Sequence, residues 1–91
     1  MAVRWTTAAH RDLERLHAFL APVNPPAAIR AVRLILAGVR RLAANPRLGA
    51  AMAEFAPREV RRLIVSDFEV RYELQEDTLF VLRVWHVREE R

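Results

Sequence analysis

The side chains able to do chemistry in this chain are few in kind. All fifteen cationic residues are arginine, and lysine is absent. Arginine offers carboxylates and phosphates a planar fork of donors; it serves neither as a general base nor as a Schiff-base amine. There is no cysteine, which removes thiolate nucleophiles, disulfides and cysteine-based metal sites. Three histidines, His10, His17 and His86, are too few to suggest a zinc cluster, so neither a metal nor another cofactor is expected. The net charge of +4 and a pI near 11.2 fit an acidic partner, protein or nucleic acid, without choosing between them.

The frame that must hold these groups is small. Ninety-one residues allow one domain, 1–91, with a marginal core. Rossmann and barrel machinery does not fit this length. An apolar fraction of 53% excludes a disordered chain. No apolar run approaches the ~20 residues that span a bilayer, and no signal-peptide core is visible, so a cytoplasmic protein without membrane contact is expected.

Hydrophobic periodicity divides the chain. Ala2 to Thr6 reads as a strand, and Thr6 or Thr7 as the cap of a helix running from Ala8 to Leu20. Its apolar face is Ala9, Leu13, Leu16 and Leu20, with Asp12, Arg15 and His17 on the wetter side. Asn24 followed by Pro25 opens a second helix that Asn45-Pro46 closes near Ala44. Arg30, Arg33, Arg40 and Arg41 gather on its solvent side, and Gly38 suggests close packing against the first helix. Pro46-Arg47-Leu48-Gly49 is a turn, and Ala50 to Phe55 is loop or a loose helical turn. From Glu59 the period becomes two: strands at Val60–Val65, Phe68–Leu74 and Leu79–Val87, with turns at Ser66-Asp67 and Glu76-Asp77. Arg88 to Arg91 form a charged tail. The expected fold class is α+β: an antiparallel helical hairpin on one face of a small, mainly antiparallel four-stranded sheet, in the order β-α-α-β-β-β.

The last strand is apolar on both alternating sets. One set is Phe80, Leu82, Val84 and His86; the other is Leu79, Val81, Arg83, Trp85 and Val87. A two-residue turn sets Tyr72 opposite Val81 and Val70 opposite Arg83, whereas a three-residue turn matches Tyr72 with Leu82. In either register apolar area is left on the face the helices do not cover. A partner protein, or the loop from Met52 to Phe55, has to cover it.

Taken together, these pieces resemble the RelE/ParE family of type II toxin–antitoxin toxins, closest to its ParE-like branch. The resemblance rests on Val3-Arg4-Trp5-Thr6, the helix bearing Asp12-Leu13, Asn45-Pro46-Arg47-Leu48-Gly49, Arg61-Arg62-Leu63, Phe68-Glu69-Val70-Arg71-Tyr72 and Leu82-Arg83-Val84-Trp85-His86-Val87-Arg88, in order along nearly the whole chain. It implies a toxin neutralised in a hetero-oligomer by a cognate antitoxin that wraps it. RelE-like members cleave mRNA on the ribosome, and ParE-like members poison DNA gyrase. Metal-free RNA cleavage needs a base, a proton donor and fixed cations. Glu69 stands where the RelE pattern has an arginine, Val87 (beside Arg88) stands for another, and the late tyrosine and the lysines have no counterpart. A second RNase subset would place its roles on Glu54 or Glu59, Arg62 or Arg83, and His86.

The resemblance therefore implies a gyrase-binding toxin that is not an enzyme and does not bind nucleic acid directly. Its target- or antitoxin-binding residues would be Arg62, Arg71, Tyr72, Val81, Arg83, Trp85, His86 and Arg88. Two alternatives stand beside it. One is a ribosome-dependent mRNA endoribonuclease using Glu59, Arg62, Arg83 and His86; the other is a degenerate member that binds its antitoxin without toxicity.

Overall fold

The computed structural model describes residues 1–89, so positions 90 and 91 of the charged tail lie outside the described residues. Strand β1 (Ala2–Trp5) leads into helices α1 (Thr7–Leu20) and α2 (Pro25–Ala44). Strands β2 (Ala50–Ala51), β3 (Glu59–Val65), β4 (Phe68–Gln75) and β5 (Thr78–His86) follow, with a short 3-10 turn over Ala53–Phe55. The helices begin where side chains can take their first N–H groups. Thr6 Oγ1 accepts from the amide of Ala9 at 3.0 Å, and Asn24 Oδ1 accepts from the amide of Ala27 at 3.1 Å.

The sheet is ordered β1-β5-β4-β3-β2. Strand β1 runs parallel to β5, and the other pairings are antiparallel. The expected four strands are thus joined by a fifth, the two-residue β2, which lies in the segment expected as loop. It is too short for any periodicity to reveal. The helical hairpin covers one face of the sheet. Leu16, Ala31, Ile35, Val39 and Leu42 bury there against Val70, Tyr72, Leu79, Val81 and Val84, with Trp5 packed at the margin. Burying each large aliphatic side chain contributes about 1.5–3 kcal/mol. Gly38 serves the sheet and not, as expected, the first helix: a Cβ there would stand 2.6 Å from Val65 Cγ2 of β3. Both hairpin turns do without glycine by placing Ser66 (φ 56°) and Glu76 (φ 54°) in the left-handed region.

Strand β5 does not keep one alternation along its length. Tyr72 pairs with Val81, as a two-residue turn requires, but Arg71 pairs with Arg83 and Val70 with Val84. Leu82 is the extra residue of a β-bulge. Parity flips there. Leu79, Val81 and Val84 share the helix face, while Phe80, Arg83 and Trp85 share the outer face. The apparent double apolar strand is therefore two single-faced halves joined out of phase. The bulge falls where β1 ends and α1 takes over the edge of β5. Thr6 Oγ1 donates to the carbonyl of Leu82 at 2.9 Å, and the amide of Val84 donates to Asp12 Oδ2 at 2.9 Å. Side chains thus satisfy the backbone groups that β1 no longer reaches.

Candidate functional site

Away from the helices, the sheet face carries alternating charge and aromatic rings instead of an open apolar patch. Strand β4 contributes Glu69, Arg71 and Glu73, and β5 contributes Phe80, Arg83 and Trp85. Strand β3 adds Val60, Arg62 and Ile64. The 3-10 turn sets Phe55 over this face, its ring centroid 5.8 Å from the Arg71 guanidinium carbon and 5.9 Å from that of Arg58. The Arg71 guanidinium carbon also lies 4.6 Å from the Trp85 centroid, and that of Arg83 lies 4.9 Å from it. Such cation–π contacts contribute about 0.5–2 kcal/mol, more when desolvated. Trp85 is buried by the chain's own residues. Of the two coverings the sequence allows, the loop around Met52 to Phe55 is present, and the apolar content of β5 does not by itself demand a second polypeptide.

Each buried carboxylate on this side is clamped by arginine. Glu73 accepts both Arg58 Nε (3.1 Å) and Nη2 (2.7 Å). Arg71 Nη2 donates to Glu69 at 3.0 Å. Asp12 is 4% exposed, and not on the wet side of α1 as its helical position suggests. It accepts Arg83 Nε at 2.7 Å, Arg83 Nη2 at 3.1 Å, Arg15 at 3.3 Å and the Val84 amide. Burial opposes ionisation of Asp12, but hydrogen bonds from Arg83, Val84 and Arg15 outweigh it and hold the carboxyl below its ordinary value. Arg58 does the same for Glu73. Arg61 first, then Arg47, lower Glu59.

The residues singled out from the sequence scatter over both faces. Tyr72 and Val81 are fully buried on the helix side, so as folded they present no surface to a partner. Tyr72 instead anchors the Pro46–Gly49 turn, its hydroxyl accepting from the amide of Gly49 (3.0 Å) and donating to the carbonyl of Pro46 (2.7 Å). Burial pushes the pKa of that phenol above its ordinary value. A Cβ on Gly49 would meet the same hydroxyl at 2.6 Å, which explains the glycine. Arg62, Arg71, Arg83 and Trp85 do converge on the outer face.

His86 lies on the helix side, edge-on to Phe68 with ring centroids 5.6 Å apart. Its Nδ1 accepts from the amide of Arg88 at 3.1 Å, closing the end of β5. It borders a groove of about 430 Å³ formed with Leu16, Phe19, Leu20 and Phe68. Glu59 sits at the far end of the sheet. It shares a rung with Leu74, and His86 shares one with Phe68, six positions along β4 and so roughly 20 Å away at ~3.3 Å per residue. Glu59 is bound to Arg47 and Arg61, and Arg83 to Asp12. Glu54 is exposed in the 3-10 turn. These groups therefore do not form one constellation. Among the described residues no group of three His, Asp or Glu could hold a metal ion.

Sequence reasoning missed Asp12, Phe55, Arg58 and Glu73 as parts of the outer-face network. Only the Asp12/Arg15 spacing of three on α1 hinted at any of it.

Comparison with known proteins agrees with this architecture. A chain of known structure, described as the chromosomal ParDE TA system from P. aeruginosa, superposes with a TM-score of 0.78 at 25% identity, over 94% of this chain and 95% of that one. No curated protein sequence matches. The sequence profile of the ParE toxin of the type II toxin–antitoxin system, parDE, matches residues 3–91. With the helical hairpin, the strand order and the profile in agreement over almost its full length, the chain belongs to the ParE toxin family.

Proposed function

We propose that this ParE-family toxin acts by binding, that its target is DNA gyrase, and that a cognate antitoxin neutralises it by covering its surface in a hetero-oligomer. The separation of Glu59 from His86 carries this reading. The acid and base of metal-free RNA cleavage must both reach one scissile phosphate, and roughly 20 Å between their rungs prevents it. The carboxylates are also tuned the wrong way. A general base for neutral pH needs a raised pKa, whereas arginines push Asp12, Glu59 and Glu73 down. What the outer face offers instead is ordered arginine and aromatic surface, the composition enriched where proteins meet. No described helix is long and apolar enough to cross a membrane, and we place the action in the cytoplasm, where gyrase works.

Purified toxin freed of antitoxin is expected to block supercoiling of relaxed plasmid by gyrase. His86→Ala, with folding verified by circular dichroism, is expected to retain that inhibition. Full gyrase activity alongside codon-specific mRNA cleavage on ribosomes, abolished by His86→Ala, would replace the binder with an endoribonuclease. Silence in both assays would leave a non-toxic antitoxin-binding protein.

A further inference from the structure

The outer face contains an arrangement that folding alone does not favour. Arg62 of β3, Arg71 of β4 and Arg83 of β5 are direct partners on successive strands, forming one rung of three arginines. Neighbouring strands lie about 4.8 Å apart, and like charges directly opposite destabilise a sheet. Two of the three are compensated from within: Glu69 pairs with Arg71 at 3.0 Å and Asp12 with Arg83 at 2.7 Å. Arg71 is further fixed beside the Phe55 and Trp85 rings, and its buried Nε has no acceptor among the described residues. Arg62 is exposed and makes no ion pair or side-chain hydrogen bond with any described residue. Two positions along β3 on the same face, Ile64 is 51% exposed. The rung thus ends in one open guanidinium, backed by a second, beside an exposed aliphatic side chain.

We propose that Arg62 is the receptor for a carboxylate side chain of the bound antitoxin, with Ile64 taking an apolar neighbour of that carboxylate. This rests on the antitoxin partnership proposed above. Charge on the face selects a protein segment over nucleic acid. A phosphate backbone is held by several unpaired cations at once. Here Glu69 and Glu73 already occupy Arg71 and Arg58, leaving a single open fork in the rung. One fork beside one isoleucine suits one acidic residue next to an apolar one. A planar guanidinium binds carboxylate through two parallel hydrogen bonds, which an ammonium does not reproduce.

The test is calorimetric titration of the intact toxin with the antitoxin encoded by the adjoining reading frame. Arg62→Gln is expected to weaken binding by about tenfold or more, the worth of a charge-assisted hydrogen bond, and Arg62→Lys by less. Arg40→Gln, on the solvent side of α2, serves as a control and is expected to bind like wild type. Because Arg62 is exposed and its strand neighbours are already paired, Arg62→Gln is also expected to leave the Tm of the isolated toxin within a few degrees of wild type, so that lost binding is not lost folding. Wild-type toxin that does not bind the antitoxin overturns the partnership itself. Firm wild-type binding with Arg62→Gln within about twofold of it overturns the arginine site and leaves the partnership standing. A labelled single-stranded oligoribonucleotide that binds wild type and not Arg62→Gln, with antitoxin affinity unmoved, assigns the fork to phosphate and likewise overturns the proposal.

Discussion

Replacing Asp12 with alanine removes the acceptor of one strand amide and the partner of two arginines in a single step. Val84 N–H would be left buried without a bond, and Arg83 and Arg15 without their shared anion. Leaving a buried group unpaired costs about 1–3 kcal/mol, and breaking a buried charge pair about 3–5. Because Arg83 is 43% exposed and Arg15 44%, solvent screens the charge component, and a loss of about 2–3 kcal/mol is expected in urea denaturation. Asp12→Asn, which keeps an oxygen for Val84, is expected to lose less; equal losses would mean that the amide acceptor is unimportant. Little of this could be read from the sequence. The helical stripe of α1 predicts its buried side from apolar residues alone, and an aspartate on the opposite turn reads as solvated. Its burial comes from a strand edge more than seventy residues away in sequence, which local pattern does not record. Tyr72 was ambiguous for a related reason, since an aromatic residue with a polar tip fits a binding surface as well as the buried clasp of the Pro46–Gly49 turn.

Among the elements, those with long periodicity or strong punctuation could be read from sequence. Helix α2 runs from Pro25 to Ala44 as Asn24-Pro25 and Asn45-Pro46 dictate, and α1 needed only one residue added at its start. Strands β3 and β4 gained one residue each. Two features were not readable. Strand β2 is too short to have a period. The bulge at Leu82 disguised β5, because an inserted residue makes both alternating sets look apolar while each half is one-sided. Deleting Leu82 tests this directly. With the extra residue gone, Arg83 would follow Val81 in unbroken alternation and Val84 would keep the helix face, so a cooperative thermal transition is expected to survive. A deletion variant without a cooperative transition would show that Leu82 does more than shift the phase of the strand.

For the molecule as a whole, clamped carboxylates set the acid limit. Asp12, Glu59 and Glu73 bind protons more weakly when folded than their ordinary values of 3.8, 4.5 and 4.5 imply. Their contribution to stability is therefore complete above those values and is lost as pH falls through the lower, folded ones. Urea midpoints are expected to stay level from neutrality down to about pH 5 and to drop below about pH 4, less steeply in Asp12→Asn. Midpoints that rise on acidification would contradict the assignment. The parallel pairing of β1 with β5 has a different consequence, one of timing. A ribosome makes β1 before every other strand of this sheet, and the strand that β1 must join after all of them. Until then Val3 and Trp5 wait without a neighbour, and α1 lacks the edge its cap and Asp12 are shaped to meet. Translation interrupted before β5 yields a chain missing the strand between β1 and β4, so an unfinished copy has no folded form in which to act.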